Sequence, residues 1–83
     1  MKREEISEKL VGIYAEVLGK ELQTEDLTDG ILEKYHIDSL IALKIIVKIE
    51  QIFDVVIDDD NVAIEMLDAI DKAVTFIQEN SEE

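Results

Sequence analysis

The chain has 83 residues, of which 21 are acidic and 8 are basic, so its formal net charge at pH 7 is −13. This charge disfavours binding to nucleic acid or to an anionic membrane, and the lack of cysteine excludes disulfides and thiolate metal sites. With 47% hydrophobic residues, no proline and no strand-like alternation, we expect a single all-α domain over residues 1–83.

No apolar run approaches the roughly 20 residues that a membrane-spanning helix needs. The first five residues, Met1 to Glu5, do not resemble a secretory leader. We therefore expect no membrane span and a cytoplasmic location.

The first predicted helix runs from Arg3 to Leu18, and Gly19 follows it where a left-handed C-cap is expected. Its apolar residues recur at helical spacing and form one core-facing stripe. A long connection without regular periodicity extends from Lys20 to Ile37. We expect its scattered apolar residues to hold it against the helices, because long loops in small domains are otherwise poorly ordered.

The second predicted helix, Ser39 to Phe53, is apolar on two faces. A small domain leaves little room to bury both faces, so the narrower one is predicted to dock a partner protein. That narrow stripe is bordered by Glu50 on one side and by Lys44 and Gln51 on the other. The broad face, predicted to be core, contains Ala42, Ile45, Ile46, Ile49, Ile52 and Phe53, and the narrow stripe contains Leu40, Leu43 and Val47.

The remaining elements are shorter. Asp54 to Asn61 is predicted to be a loop in which Val55, Val56 and Ile57 are partly buried. Its three aspartates, 58–60, lack the ligand spacing of an EF-hand, so helix capping and solvation are the favoured interpretation. A helical turn is expected over 62–66, and a last helix, capped by Asp68, should extend to about Gln78 before residues 80–83 fray.

Asp38 and Ser39 form the most informative pair in the chain. Asp38 suits the N-cap of the second predicted helix, because its carboxylate can accept free N–H groups of the first turn. Ser39 then lies on that turn, close to the positive end of the helix dipole. An anion attached to its hydroxyl would be stabilised there, so the local sequence favours a serine that carries a phosphate.

At these residues the sequence resembles the acyl carrier protein family, whose motif Asp-Ser-Leu stands here as Asp38-Ser39-Leu40. The segment Ile49-Glu50-Gln51-Ile52-Phe53-Asp54, the length, the acidity and the long first loop extend the resemblance over nearly the whole chain. It implies a four-helix bundle with three long helices and one short helix. It also implies that Ser39 is esterified with 4′-phosphopantetheine, whose thiol carries acyl groups as thioesters.

The resemblance also implies partners and a docking surface. A phosphopantetheinyl transferase would load the chain from coenzyme A, and acyl-transferring and acyl-modifying enzymes with basic docking patches would then act on it. An attached acyl chain is expected to lie between the helices, against Ile46, Ile49 and Phe53. We expect a monomer without catalytic activity that docks through Leu40, Ile41, Leu43, Lys44, Val47, Lys48, Glu50 and Gln51.

Several residues differ from the family pattern. His36 stands where members usually have glycine, and Ile41 stands where many fatty-acid carriers have an acidic residue. Lys44 and Lys48 occupy positions at which such carriers tend to have acids. These differences point to a specialised lipid, polyketide or aminoacyl pathway at least as much as to fatty acid synthesis.

Other functions are weaker alternatives. His36, Asp38 and Ser39 are too close in sequence for the geometry of a nucleophilic triad, and no Gly-rich oxyanion turn is present. His36, the only histidine, cannot build a metal site by itself. An unmodified acidic helical interaction module remains the main alternative, and Ser39 separates the two, because only a carrier needs its hydroxyl.

Overall fold

A computed structural model describes residues 2–81, and its regular elements over this range are all helical. The predicted four-helix bundle is confirmed, with a 3-10 turn and one additional single-turn α-helix in the first connection. Across residues 2–81, none of the helices combines the length and the hydrophobicity required to cross a bilayer. The elements are α1 Arg3–Leu18, a 3-10 turn Thr24–Leu27, α2 Ile31–Lys34, α3 Ser39–Phe53, α4 Asp60–Asp68 and α5 Ile70–Asn80.

The two longest helices have the predicted bounds, because local capping residues set them. The C-cap of α1 is Gly19, whose φ of 67° is left-handed and whose N–H donates to the Ala15 carbonyl at 2.8 Å. Asp38 is the N-cap of α3, and its carboxylate accepts the N–H of Ile41 at 2.9 Å. Both helices therefore begin and end where the sequence indicates.

The core lies between α1, α3 and α5, with α4 packed against α5. Full burial of one large aliphatic side chain stabilises a fold by about 2 kcal/mol, so these contacts dominate the stability of the bundle. The fully buried large side chains are Ile6, Leu10, Tyr14, Leu27, Ile31, Ile45, Ile49, Met66, Leu67 and Ile77.

The connection between α1 and α3 contains more helix than its lack of periodicity indicates. It forms the 3-10 turn and α2, and these two elements bury Leu27 and Ile31 completely. Each element is only four residues long and contributes one fully buried residue. A single buried residue produces no helical period, so the pattern could not reveal these turns.

The prediction that Asp68 caps the last helix is wrong. Asp68 is the final residue of α4, and the N-cap of α5 is Ala69, which offers no side-chain hydrogen bond. The Asp68 carboxylate instead accepts the N–H of Leu32 in the first turn of α2, at 3.1 Å. Because the N-cap of α2 is Gly30, which has no side chain, a carboxylate 36 residues away satisfies this helix start.

Four further expectations are corrected. The helix α4 is longer than the predicted turn, because Asp59 caps it through the N–H groups of Asn61 and Val62, in line with the capping interpretation of the aspartates. Val56 is 73% exposed rather than partly buried, and Ile52, predicted to be core, is 49% exposed. At the other end, α5 includes the first of the residues expected to fray, and residues 82 and 83 lie outside the described range.

Tyr14 is the large polar side chain of the core. Its hydroxyl donates to the carbonyl of Leu67 at 2.9 Å and so satisfies a carbonyl in the last turn of α4. Burial raises the pKa of Tyr14 above its ordinary value of 10.0, and the negative charge of Asp68 raises that pKa further. The folded state therefore strongly favours the neutral phenol.

The titration of Tyr14 predicts loss of stability in alkali. The raised pKa stabilises the fold fully below about pH 10, and this contribution is lost as the pH rises further, because the unfolded chain ionises first. Urea unfolding at several pH values between about 8 and 11 measures the slope. In Tyr14→Phe the slope above pH 10 should be flatter, while stability at pH 7 falls by about 1 kcal/mol. Equal slopes in both proteins would contradict this assignment.

Candidate functional site

Ser39 is the first residue of α3, and its side chain is exposed to solvent. Among the described residues, Asp38 occupies the N–H of Ile41, whereas no hydrogen bond uses the N–H groups of Ser39 or Leu40. A phosphate ester on the Ser39 hydroxyl would therefore lie beside free N–H donors and the positive end of the α3 dipole. The residues present fit such an ester.

The backbone that leads into Ser39 turns sharply at His36. The N–H of His36 donates to Glu33 at 3.3 Å, and the N–H of Ile37 donates to Leu32 at 2.9 Å, both to carbonyl oxygens. This pair of bonds is a Schellman motif, which requires a left-handed residue just beyond the helix. His36 is that residue, with a φ of 54°. The glycine usual at this position in the family that the sequence resembles thus has a physical reason, and this chain has a strained histidine there.

The approach to Ser39 is also fixed to the rest of the fold. The bond from Leu32 to Asp68 holds the start of α2 against the end of α4, and the side chain of Ile31 is fully buried. Next along the chain, the hydroxyl of Tyr35 donates to the Asp26 carbonyl at 3.2 Å. The segment just before the serine is therefore tied to both α4 and the 3-10 turn.

The rotation of α3 decides which of its side chains reach solvent. Ile45 and Ile49 are fully buried. On the opposite side, Leu40 is 63% exposed, Leu43 56% and Val47 39%. The second apolar stripe predicted from the sequence therefore lies on the surface and begins next to Ser39. We call Leu40, Leu43 and Val47 the α3 stripe.

The other predicted docking residues occupy different environments around the α3 stripe. Lys44 and Gln51 are exposed, and Ile41 is half-buried. Lys48 forms an ion pair with Glu16 of α1. The half-buried Glu50 accepts the N–H of Ile57 at 2.9 Å and so holds the loop that follows α3.

A groove of about 390 Å³ runs between α3 and α4 and reaches Ser39. Of the three residues expected to contact an acyl chain, Ile46 lines this groove, whereas Ile49 and Phe53 are 0% and 4% exposed and belong to the core. Ile64, which is 56% exposed, also lines the groove. The sequence does not predict this role, because it indicates only one helical turn there, which is too short to show which side chains face outward. The lining residues are Ser39, Ala42, Leu43, Ile46, Asp60, Ala63, Ile64 and Leu67.

Within residues 2–81, no three His, Asp or Glu side chains lie close enough together to bind a metal ion. Asp59, in the aspartate run, is engaged in capping α4. The polar chemistry around Ser39 thus consists of an exposed hydroxyl, a capping carboxylate and free backbone donors.

Replacing His36 with glycine should raise the free energy of unfolding by about 1 kcal/mol, because glycine has no Cβ to clash at a left-handed φ. Urea unfolding measures the change. The control His36→Ala keeps the Cβ and should bring no such gain. A His36→Gly protein no more stable than the wild type would show that the left-handed turn is unstrained.

Comparison with known proteins identifies the family. A family model described as "Phosphopantetheine attachment site" matches residues 8–73, which is most of the chain. Neither a curated protein nor a solved structure gives a significant match. Members of this family carry 4′-phosphopantetheine covalently on a serine, interact with transferases and biosynthetic enzymes, and are generally not catalytic. The chain therefore belongs to the phosphopantetheine-binding family of acyl and peptidyl carrier proteins.

Proposed function

We propose that the protein is an acyl carrier and that Ser39 is its attachment point for 4′-phosphopantetheine. One observation carries the assignment: Ser39 is the only serine within residues 8–73, the part of the chain that matches the family. The other serines, Ser7 and Ser81, lie outside that range. The exposed position of Ser39 at the start of α3 supports the same choice.

In the loading reaction, the Ser39 oxygen attacks the pantetheine-bearing phosphorus of coenzyme A. A new P–O bond forms, the bond to the adenosine bisphosphate breaks, and the hydroxyl proton leaves the serine. Asp38 fixes the first turn of α3, and the free N–H groups of Ser39 and Leu40 stabilise the charge of the resulting ester. The transferase would use Mg²⁺ in this transfer.

The protein itself presents cargo and does not catalyse its conversion. The chain contains no cysteine, and the attached group supplies the thiol that holds acyl chains as thioesters. Between encounters with enzymes, the groove between α3 and α4 offers apolar contacts to an acyl chain, through Ile46 and Ile64. We propose fatty acid, specialised lipid or polyketide synthesis as the pathway, with aminoacyl or peptidyl transfer as the alternative.

We further propose that the α3 stripe and its neighbours form the docking surface for these enzymes. The stripe starts beside Ser39, so an enzyme bound there lies next to the point from which cargo is presented. Its three aliphatic side chains remain substantially exposed, and an exposed apolar patch is typical of a protein–protein interaction site. Glu50 borders the stripe on one side and Lys44 and Gln51 border it on the other, with Ile41 and Lys48 farther round the helix.

The loading test uses coenzyme A, Mg²⁺, a broad-specificity phosphopantetheinyl transferase and intact-mass measurement. The wild-type protein should gain one phosphopantetheine group, and Ser39→Ala should gain none. Ser7→Ala and Ser81→Ala serve as matched controls that should load as the wild type does. If the wild-type protein stays unloaded, the chain is an unmodified acidic interaction module rather than a carrier.

Acyl binding in the groove predicts a chain-length effect on stability. Melting temperature should rise with acyl length, because the acyl chain binds only the folded state. Ile64→Ser should reduce this rise without much effect on the unloaded protein, since Ile64 is 56% exposed. Val56→Ser is the control, because Val56 is 73% exposed and does not line the groove. Identical melting temperatures for unacylated and long-chain forms would argue against acyl binding there.

A further inference from the structure

A positive charge, on Lys44, lies beside the α3 stripe of this strongly acidic protein. Lys44 is exposed on the same helix and makes no ion pair or hydrogen bond within residues 2–81. The other charged side chains of α3 are engaged, because Lys48 pairs with Glu16 and Glu50 accepts the N–H of Ile57. Within residues 2–81, Lys44 is therefore the charged side chain of α3 that remains available to pair with another protein.

Lys44 also lines a surface trough together with aliphatic side chains. The trough lies between α1 and α3 and has a volume of about 560 Å³. Leu43 and Val47 of the α3 stripe extend into it, so it forms part of the proposed docking surface. Its lining residues are Glu16, Val17, Leu43, Lys44, Val47, Lys48 and Gln51.

We propose that the enzymes acting on the loaded carrier dock here with an aliphatic side chain in the trough and a carboxylate that pairs with Lys44. This inference rests on the proposed function, because it names the chemistry of the partner at the same docking surface. The net charge alone predicts only basic residues on the partner's docking surface, whereas this proposal adds an acidic residue there. Basic residues on the partner would then lie around this contact rather than opposite Lys44.

The attraction due to net charge and the pairing of Lys44 with a carboxylate act over different distances. The net charge of −13 acts at long range and attracts basic proteins of many kinds. In a formed complex, charges within about 4 Å dominate, since the Debye length is only about 8 Å at physiological ionic strength. An ammonium buried against an apolar or basic surface loses its hydration without gaining a partner. A carboxylate opposite Lys44 removes that cost and selects the correct enzyme.

Zero-length cross-linking tests the proposal directly. The protein is loaded at Ser39, checked by intact mass, mixed with a soluble extract of the producing cells and treated with a carbodiimide. This reagent joins an ammonium to a carboxylate as an amide, with loss of water. Peptide mass spectrometry should find Lys44 joined to an Asp or Glu of an enzyme that acts on carrier thioesters. Lys44→Arg keeps the charge and should abolish this cross-link.

A second measurement uses the enzyme identified by that cross-link, after purification. Lys44→Glu should weaken its binding at low salt by about tenfold or more, as expected when one member of a close charge pair is reversed. Lys72→Glu is the matched control, because Lys72 is an exposed lysine on α5 and its reversal changes net charge equally. The control should change affinity much less.

Contrary results are equally specific. The proposal is overturned if Lys44 stays uncoupled while Glu16 or Asp60 couples to lysines of the partner, or if Lys44→Glu binds as tightly as the wild type. A protein that loads at Ser39 yet gives either result retains its carrier function and refutes only the docking chemistry. A protein that does not load at Ser39 refutes both.

Discussion

The burial of Ile45, Ile49 and Phe53 against α1 and the rest of the core is the constraint on which the site depends. These three residues lie on one side of α3 and fix its rotation. Once that side is buried, the remaining apolar stripe of the helix must face solvent, because the bundle has no further layer to cover it. The first residue of α3, Ser39, reaches solvent in the same rotation. The proposed attachment point and the proposed docking surface thus both follow from the way α3 packs on the core.

Left-handed residues that are not glycine lie close to both ends of α3. His36 precedes the helix with a φ of 54°, and Asp54 ends it with a φ of 53°. Such conformations cost of order 1–3 kcal/mol each and persist only where surrounding contacts determine them. Before the serine, the bond between Leu32 and Asp68 and the burial of Ile31 provide those contacts. Stability elsewhere in the bundle therefore offsets strain close to the site.

The electrostatics of the protein differ between long and short range. Distributed over the whole chain, a charge of −13 favours solubility and long-range attraction to basic surfaces. On α3, however, Glu50 is engaged by the backbone and Lys48 by Glu16, so Lys44 sets the local sign. The long-range charge can be read from composition, but the local charge on α3 is seen only from the pairing of individual side chains. The proposed docking would therefore combine a general attraction to basic surfaces with one selective contact at Lys44.

The sequence by itself determined the long helices α1 and α3, the cap at Asp38 and the place of Ser39, because periodicity and capping are local properties. Tertiary structure decided features that depend on residues distant in the chain. In the folded chain Ile52 is half exposed, although periodicity assigned it to the core. The Asp68 carboxylate accepts a hydrogen bond from the first turn of α2 and does not cap α5. The physical reason is that a buried face, a groove or a hydrogen bond between distant segments exists only after the helices pack, whereas the capping residues that bound α1 and α3 lie next to those helix ends in the sequence.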